Sequence, residues 1–188
     1  MKKAVAIIGN GRTRVLAPHD DPAIDVWTLN DHAMQWNKHT DAVFEMHPDA
    51  LAASRYSDEY KAWLQEPHPF PIYMHEVDER IPASTRFPKE GISRSWFPTI
   101  RKGGRRIENF YTSTVPYCLA MAIHMNYPKI KLYGVDLERD VHLHFKDAVF
   151  FYLGYAGARG VEIEIPEGSA LMDEALYPIL MPKRRKRQ

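Results

Sequence analysis

The 188-residue chain has a single cysteine, Cys118, and no apolar run near the roughly 18 residues that a membrane span needs. One cysteine excludes an internal disulfide and a cysteine-based metal site. His142-x-His144 with Asp136 or Asp140 is the nearest thing to a metal-ligand set, and no further clear ligands join it, so no metal centre is expected. Met1-Lys2-Lys3 leads into only about six apolar residues before glycine and charge, which is too little for a secretory signal. The expectation is a cytoplasmic protein with no membrane partner. The complete dinucleotide pattern G-x-G-x-x-G is lacking as well, because Arg14 stands where its third glycine belongs.

What is present is ordinary in bulk and uneven in detail. Hydrophobic residues make up 45% and charged residues 26%, as in a globular protein long enough to bury a sizeable core. One α/β domain over 1–182 is expected. The net charge of +1 conceals two basic tracts, Arg101-Lys102-Gly-Gly-Arg105-Arg106 and Lys183 to Arg187, which hold nine of the 25 basic residues. Residues 183–188 are expected to form a disordered tail, either a solubilising terminus or a weak contact to nucleic acid.

The organising stretch is Lys3-Ala-Val-Ala-Ile-Ile-Gly-Asn-Gly-Arg-Thr13. Five apolar residues in a row mark a strand buried on both faces. Gly9 and Gly11 would let the backbone turn sharply and approach a ligand, and a helix opening at Arg12 or Thr13 would point free N–H groups at a phosphate. The plain alternative is a structural turn.

Further along, Ile24–Leu29 alternates as a second strand ending in Asn30-Asp31-His32, and a short helical piece runs through Met34 and Trp36. Asp41–Met46 reads as a third strand, with Glu45 and His47 at its end. Helical spacing is expected from Pro48 to Leu64, and a short strand from Phe70 to Met74. Periodicity fades over 76–109, an irregular excursion that is either a lid or an insert. Thr112 or Ser113 would cap an apolar helix reaching Met125. Lys129–Asp136 is the next strand, Leu137–Asp147 a polar connection with His142 and His144, Asp147–Arg159 a helix ended by Gly160, and Val161–Ile165 a last strand. Strands alternating with helices predict a Rossmann-like doubly wound α/β fold, mostly parallel, with helices on both faces.

Ligands of such sheets bind beyond the carboxyl ends of the strands. Four ends here are polar or small: Gly9-Asn10-Gly11, Asn30-Asp31, Glu45 with His47, and Gly134 with Asp136. The order of these motifs resembles the nucleotide-sugar-dependent sialyltransferases of family 42 and the related pterin pyrophosphokinase-type proteins. The resemblance is carried by Gly9-Asn10-Gly11, Asn30, Thr112-Ser113-Thr114 and Ile130-Lys-Leu-Tyr-Gly134-Val-Asp136. Arg12-Thr13 departs from the Pro-Ser that usually follows Gly-Asn-Gly. The chain is also similar to small α/β proteins of tailed bacteriophages, which would place it in a host cytoplasm.

What the resemblance implies is a glycosyltransferase-like transferase with a nucleotide or nucleotide sugar as ligand or donor, and no other cofactor. Gly9, Asn10, Gly11, Arg12, Thr13, Asn30, Thr112, Ser113, Thr114, Gly134 and Asp136 would surround the nucleotide. His142 or His144 would be the general base, a role that suits a side chain titrating near neutrality. Two other classes stay open: a nucleotide-binding module without chemistry, and a nucleic-acid-associated protein using the basic tracts. A homo-oligomer is compatible with either.

Overall fold

A computed structural model describes residues 3–96, 100–102, 105–107, 110–137 and 143–172. Seven strands form one sheet in the order β5-β4-β3-β2-β1-β8-β9, and every neighbouring pair is parallel. They are β1 (Ala4–Ile8), β2 (Ile24–Leu29), β3 (Ala42–Phe44), β4 (Ile72–Met74), β5 (Ser84–Arg86), β8 (Lys129–Tyr133) and β9 (Glu162–Glu164). Between β5 and β8 lies an antiparallel hairpin of β6 (Ile100–Lys102) and β7 (Arg105–Ile107). The helices are α1 (His32–Trp36), α2 (Asp58–Leu64), α3 (Lys89–Trp96), α4 (Thr114–His124) and α5 (Leu143–Ala158). The expected α/β doubly wound class is therefore the observed one.

β1 is central, and all five of its residues are buried. Alternation sends Val5 and Ile7 into a core shared with α4 and α5, and Ala4, Ala6 and Ile8 into a second core with Ile24, Val26 and Tyr133 on the opposite face. A third cluster joins Val43 and Ile72 to Tyr60 and Leu64 of α2. α4 is buried from Thr114 to Ile123, the consequence of a sequence apolar nearly all round. Removing a fully buried side chain such as Leu119 or Ile123 costs about 2–5 kcal/mol.

Chain direction decides where a ligand goes. From β1 the chain steps outward through β2, β3, β4 and β5, then returns to place β8 on the other side of β1. The sheet's switch point lies between β1 and β8, where the loops leaving the two strands part and open a crevice.

Several expected elements change extent. The helix expected from Pro48 begins only at Asp58. Asp49 sits at φ 45 and opens a tight turn, and Ser57 is the true N-cap, its hydroxyl taking the Tyr60 N–H at 3.2 Å. The excursion over 76–109 is not irregular throughout, since it holds β5, α3 and the hairpin. β5 was illegible because Ser84-Thr85-Arg86 is a polar edge strand and carries no apolar alternation. α5 starts at Leu143, inside the stretch expected to be a polar connection. The tail 183–188 lies outside the described residues.

Candidate functional site

The loop after β1 and the loop after β8 meet at the switch point. Gly9 N–H donates to Tyr133 O and Gly11 N–H to Gly134 O, both at 2.8 Å. The buried Thr13 hydroxyl takes the Gly134 N–H at 2.8 Å. Backbones this close leave no room for side chains. A Cβ on Gly9 would lie 2.5 Å from Gly134 O, and one on Gly11 would collide with the Asp136 carboxylate. Gly134 combines φ +62 with the carbonyl of Gly9 standing where a Cβ would go. These glycines serve the fit of one loop against the other. Gly9 and Gly11 also line the crevice. Thr13 is likewise a clamp between the loops and does not line the crevice.

Asp136 anchors the junction. Its Oδ2 takes the Arg12 N–H at 3.0 Å and its Oδ1 takes the Ser169 hydroxyl at 2.8 Å. Arg12 Nε reaches Gly168 O at 2.8 Å, so the segment after β9 closes one side of the site.

Asn10 stands exposed at the tip of the first loop with its amide held in one orientation. His32 Nδ1 lies 3.1 Å from Asn10 Oδ1, and Asn10 Nδ2 donates to Asp31 Oδ1 at 3.4 Å. Burial, helped by Arg14 and His19, pushes the His32 imidazole down to about 4. A neutral ring facing an amide oxygen carries its proton on Nδ1. Asn30 ends β2 at φ 53, a left-handed conformation that asparagine tolerates, and its Oδ1 accepts from the Thr114 hydroxyl at 3.5 Å.

A cavity of about 880 Å³ opens above these loops. Its wall includes Gly9, Asn10, Gly11, Arg12, Asn30, Thr112, Ser113, Thr114, Gly134 and Asp136. α4 begins at this wall, so its first unpaired N–H groups and the positive end of its dipole border the cavity. Ser113, its N-cap, makes no capping bond, and its Oγ is buried with no hydrogen-bond partner among the described residues.

The far wall holds residues that the sequence reading did not assign to chemistry: His47, Arg55, His75, Tyr111 and Tyr117. His47 is tied to Glu45, which is completely buried. Glu45 Oε1 accepts from His47 Nδ1 at 2.7 Å, His47 N at 3.1 Å and the Tyr56 hydroxyl at 3.0 Å. Its Oε2 accepts from the Tyr60 hydroxyl at 2.9 Å. Burial first and the Glu45 charge second push both phenols up, so Tyr56 and Tyr60 stay protonated donors. The signal was the Glu45-x-His47 spacing at a strand's carboxyl end, which sets both side chains toward one side.

Of the two histidines expected to act as bases, His142 lies outside the described residues, and His144 is described only as part of the α5 backbone. No group of three metal-binding side chains occurs among the described residues. No helix among them is long and apolar enough to cross a membrane.

No protein-family model matches the chain, and no curated protein matches it. Its fold is found in solved structures. The sialyltransferase CstII from Campylobacter jejuni in complex with cytidine-5'-monophosphate is 16% identical with a TM-score of 0.53, over 91% of this chain and 83% of that one. The same sialyltransferase in complex with CMP-3FNeuAc is 18% identical with a TM-score of 0.52, over 87% and 79%. A thiamin pyrophosphokinase from Geobacillus thermodenitrificans is 18% identical with a TM-score of 0.49, over 87% of this chain and 59% of that one. At such identities the likeness to the sialyltransferase is one of architecture alone, a Rossmann-like, doubly wound α/β sheet.

Proposed function

We propose that the crevice between β1 and β8 binds a nucleotide, carried by a nucleotide sugar, and that the protein is a glycosyltransferase-like group transferase. The observation that carries this reading is the start of α4 at the cavity wall, facing the polar loops after β1, β2 and β8. Unpaired backbone N–H groups and a helix dipole suit a phosphate. Asn10 and Asn30, amides at neighbouring strand ends, suit the donor and acceptor edges of a base or ribose. A volume of about 880 Å³ suits a ligand of nucleotide-sugar size. The sialyltransferase neighbour is described with cytidine-5'-monophosphate, which makes a cytidine nucleotide the first probe. Titration calorimetry with cytidine, uridine, adenosine and guanosine nucleotides tests the reading. Micromolar binding of one class, lost in Asn10→Ala, is expected, and failure of every class to bind removes it.

His142 and His144, which follow the Asp136 strand end in the sequence, remain candidate bases. A bacteriophage origin, a cytoplasmic location and a homo-oligomer also rest on sequence alone. A binding module without turnover is the alternative within this site.

One observation favours a second reading, contact with nucleic acid. The hairpin register sets Arg101 opposite Arg106 and Lys102 opposite Arg105. A tract of four basic positions on one ribbon suits a phosphate backbone.

A further inference from the structure

We infer that Glu45 and His47 form the proton-accepting dyad of this cavity, with His47 as catalytic base and Glu45 as its positioning residue. The inference rests on the nucleotide-sugar reading above. His47 is on the cavity wall, while Glu45 behind it has no exposure at all. A carboxylate placed there without partners would be costly, and this one receives four hydrogen bonds, two of them from tyrosines. Three of those donors, His47 N, Tyr56 and Tyr60, fix the carboxylate. The fourth, His47 Nδ1 at 2.7 Å, fixes the ring together with the Tyr56 hydroxyl, 2.6 Å from the same nitrogen.

The arrangement defines a tautomer. A carboxylate only accepts, and the Tyr56 hydroxyl, which donates to Glu45, accepts as well. With its proton on Nδ1 and shared between these two oxygens, the neutral ring keeps Nε2 as a lone-pair acceptor, and no described residue bonds that nitrogen. A buried carboxylate, an imidazole oriented through Nδ1 and a free Nε2 are the parts of a general base. The charged and titratable groups around the pair are Tyr56, Tyr60, Arg55 and Asp31, with His75 on the same wall. In the step, Nε2 takes the proton of an acceptor hydroxyl, or of water, as its oxygen bonds to the sugar's anomeric carbon. The bond from that carbon to the phosphate oxygen breaks, and its electron pair leaves with the nucleotide. The imidazolium that forms is balanced by Glu45.

The test uses the full chain with cytidine-, uridine- and guanosine-linked sugars as probes. It reads nucleotide release for turnover and thermal shift with the free nucleotide for binding. Expected is turnover of one donor by the wild type. His47→Asn should keep the nucleotide shift while kcat falls about 100-fold or more. In Glu45→Gln, kcat should fall while KM for the donor stays near the wild-type value, and Glu45→Asp should restore part of kcat. A merely structural role for Glu45 would lower Tm, donor binding and kcat together, without that split. Wild-type turnover retained in His47→Asn overturns the dyad and leaves the nucleotide reading standing. Nucleotide binding without turnover of any donor also overturns it, in favour of the binding module. No nucleotide binding by the wild type removes the reading beneath it.

Discussion

Gly11 and Asp136, 125 positions apart, are in contact, and one makes the other's geometry possible. The Asp136 carboxylate takes the Arg12 N–H at 3.0 Å only because the residue before Arg12 has no side chain. A Cβ at position 11 would occupy the space of Asp136 Oδ2. Gly11→Ala is therefore expected to cost about 1–3 kcal/mol, the range of an overpacked core. It should also disturb the cavity floor, so that stability and nucleotide affinity fall together. Chemical denaturation beside calorimetry checks this, and an alanine variant of full stability would contradict the contact.

Gly134 is under the stricter demand. Its φ of +62 and the Gly9 carbonyl standing where a Cβ would go act together. Gly134→Ala should lose about 3 kcal/mol, overpacking added to left-handed strain. For a chain of this length, that is a fall in Tm of roughly 6–12 °C.

How much of this was legible in the sequence varies along the chain. The buried run Ala4–Ile8, the glycines after it, Asn30, and Gly134 with Asp136 marked loops that the structure brings to one cavity, because a parallel strand covered on both faces leaves an unbroken apolar run. The reason for the glycines was not legible. Contact between residues 9 and 134 is a tertiary fact that no local pattern contains. β5 escaped because a polar edge strand has no alternation. The sequence points to His142 and His144 for the base; His142 lies outside the described residues, and the described cavity is lined by His47, which Glu45 holds from the end of β3. That Glu45 is buried follows only when Tyr56 and Tyr60 close over it.

His32 makes a pH prediction. Its folded-state value near 4 lies below the ordinary 6.5 of an unfolded histidine. Between those values the unfolded chain binds the extra proton. Stability therefore rises with pH through the window and is lost as pH falls through it. The gap is worth about 3 kcal/mol at most. Urea unfolding of the wild type between pH 4 and 6.5 should show this slope, and His32→Gln should flatten it. Equal slopes in the two proteins would assign the effect elsewhere.

Ser113 separates stability from binding. Its Oγ is buried with no partner among the described residues, so removing it relieves an unsatisfied hydroxyl. Ser113→Ala should leave apo stability unchanged or raise it by up to about 1 kcal/mol, while weakening nucleotide binding. A clear loss of apo stability would mean that the hydroxyl has a structural partner.

For the hairpin, Arg105→Gln with Arg106→Gln should weaken single-stranded DNA binding and flatten its salt dependence. Binding indifferent to salt removes the nucleic-acid reading.

The most direct test of the central claim is thermal unfolding of wild type and Asn10→Ala with cytidine-5'-monophosphate and a panel of other nucleotides. Asn10→Ala takes the acceptor from the buried His32 Nδ1, which should lower the apo Tm modestly, so each ligand shift is read against that protein's own apo Tm. A nucleotide present at about 100 times its Kd should stabilise the wild type by about 2.7 kcal/mol and leave Asn10→Ala nearly unshifted. An equal shift in both proteins, or no shift in the wild type with any nucleotide, would contradict the account.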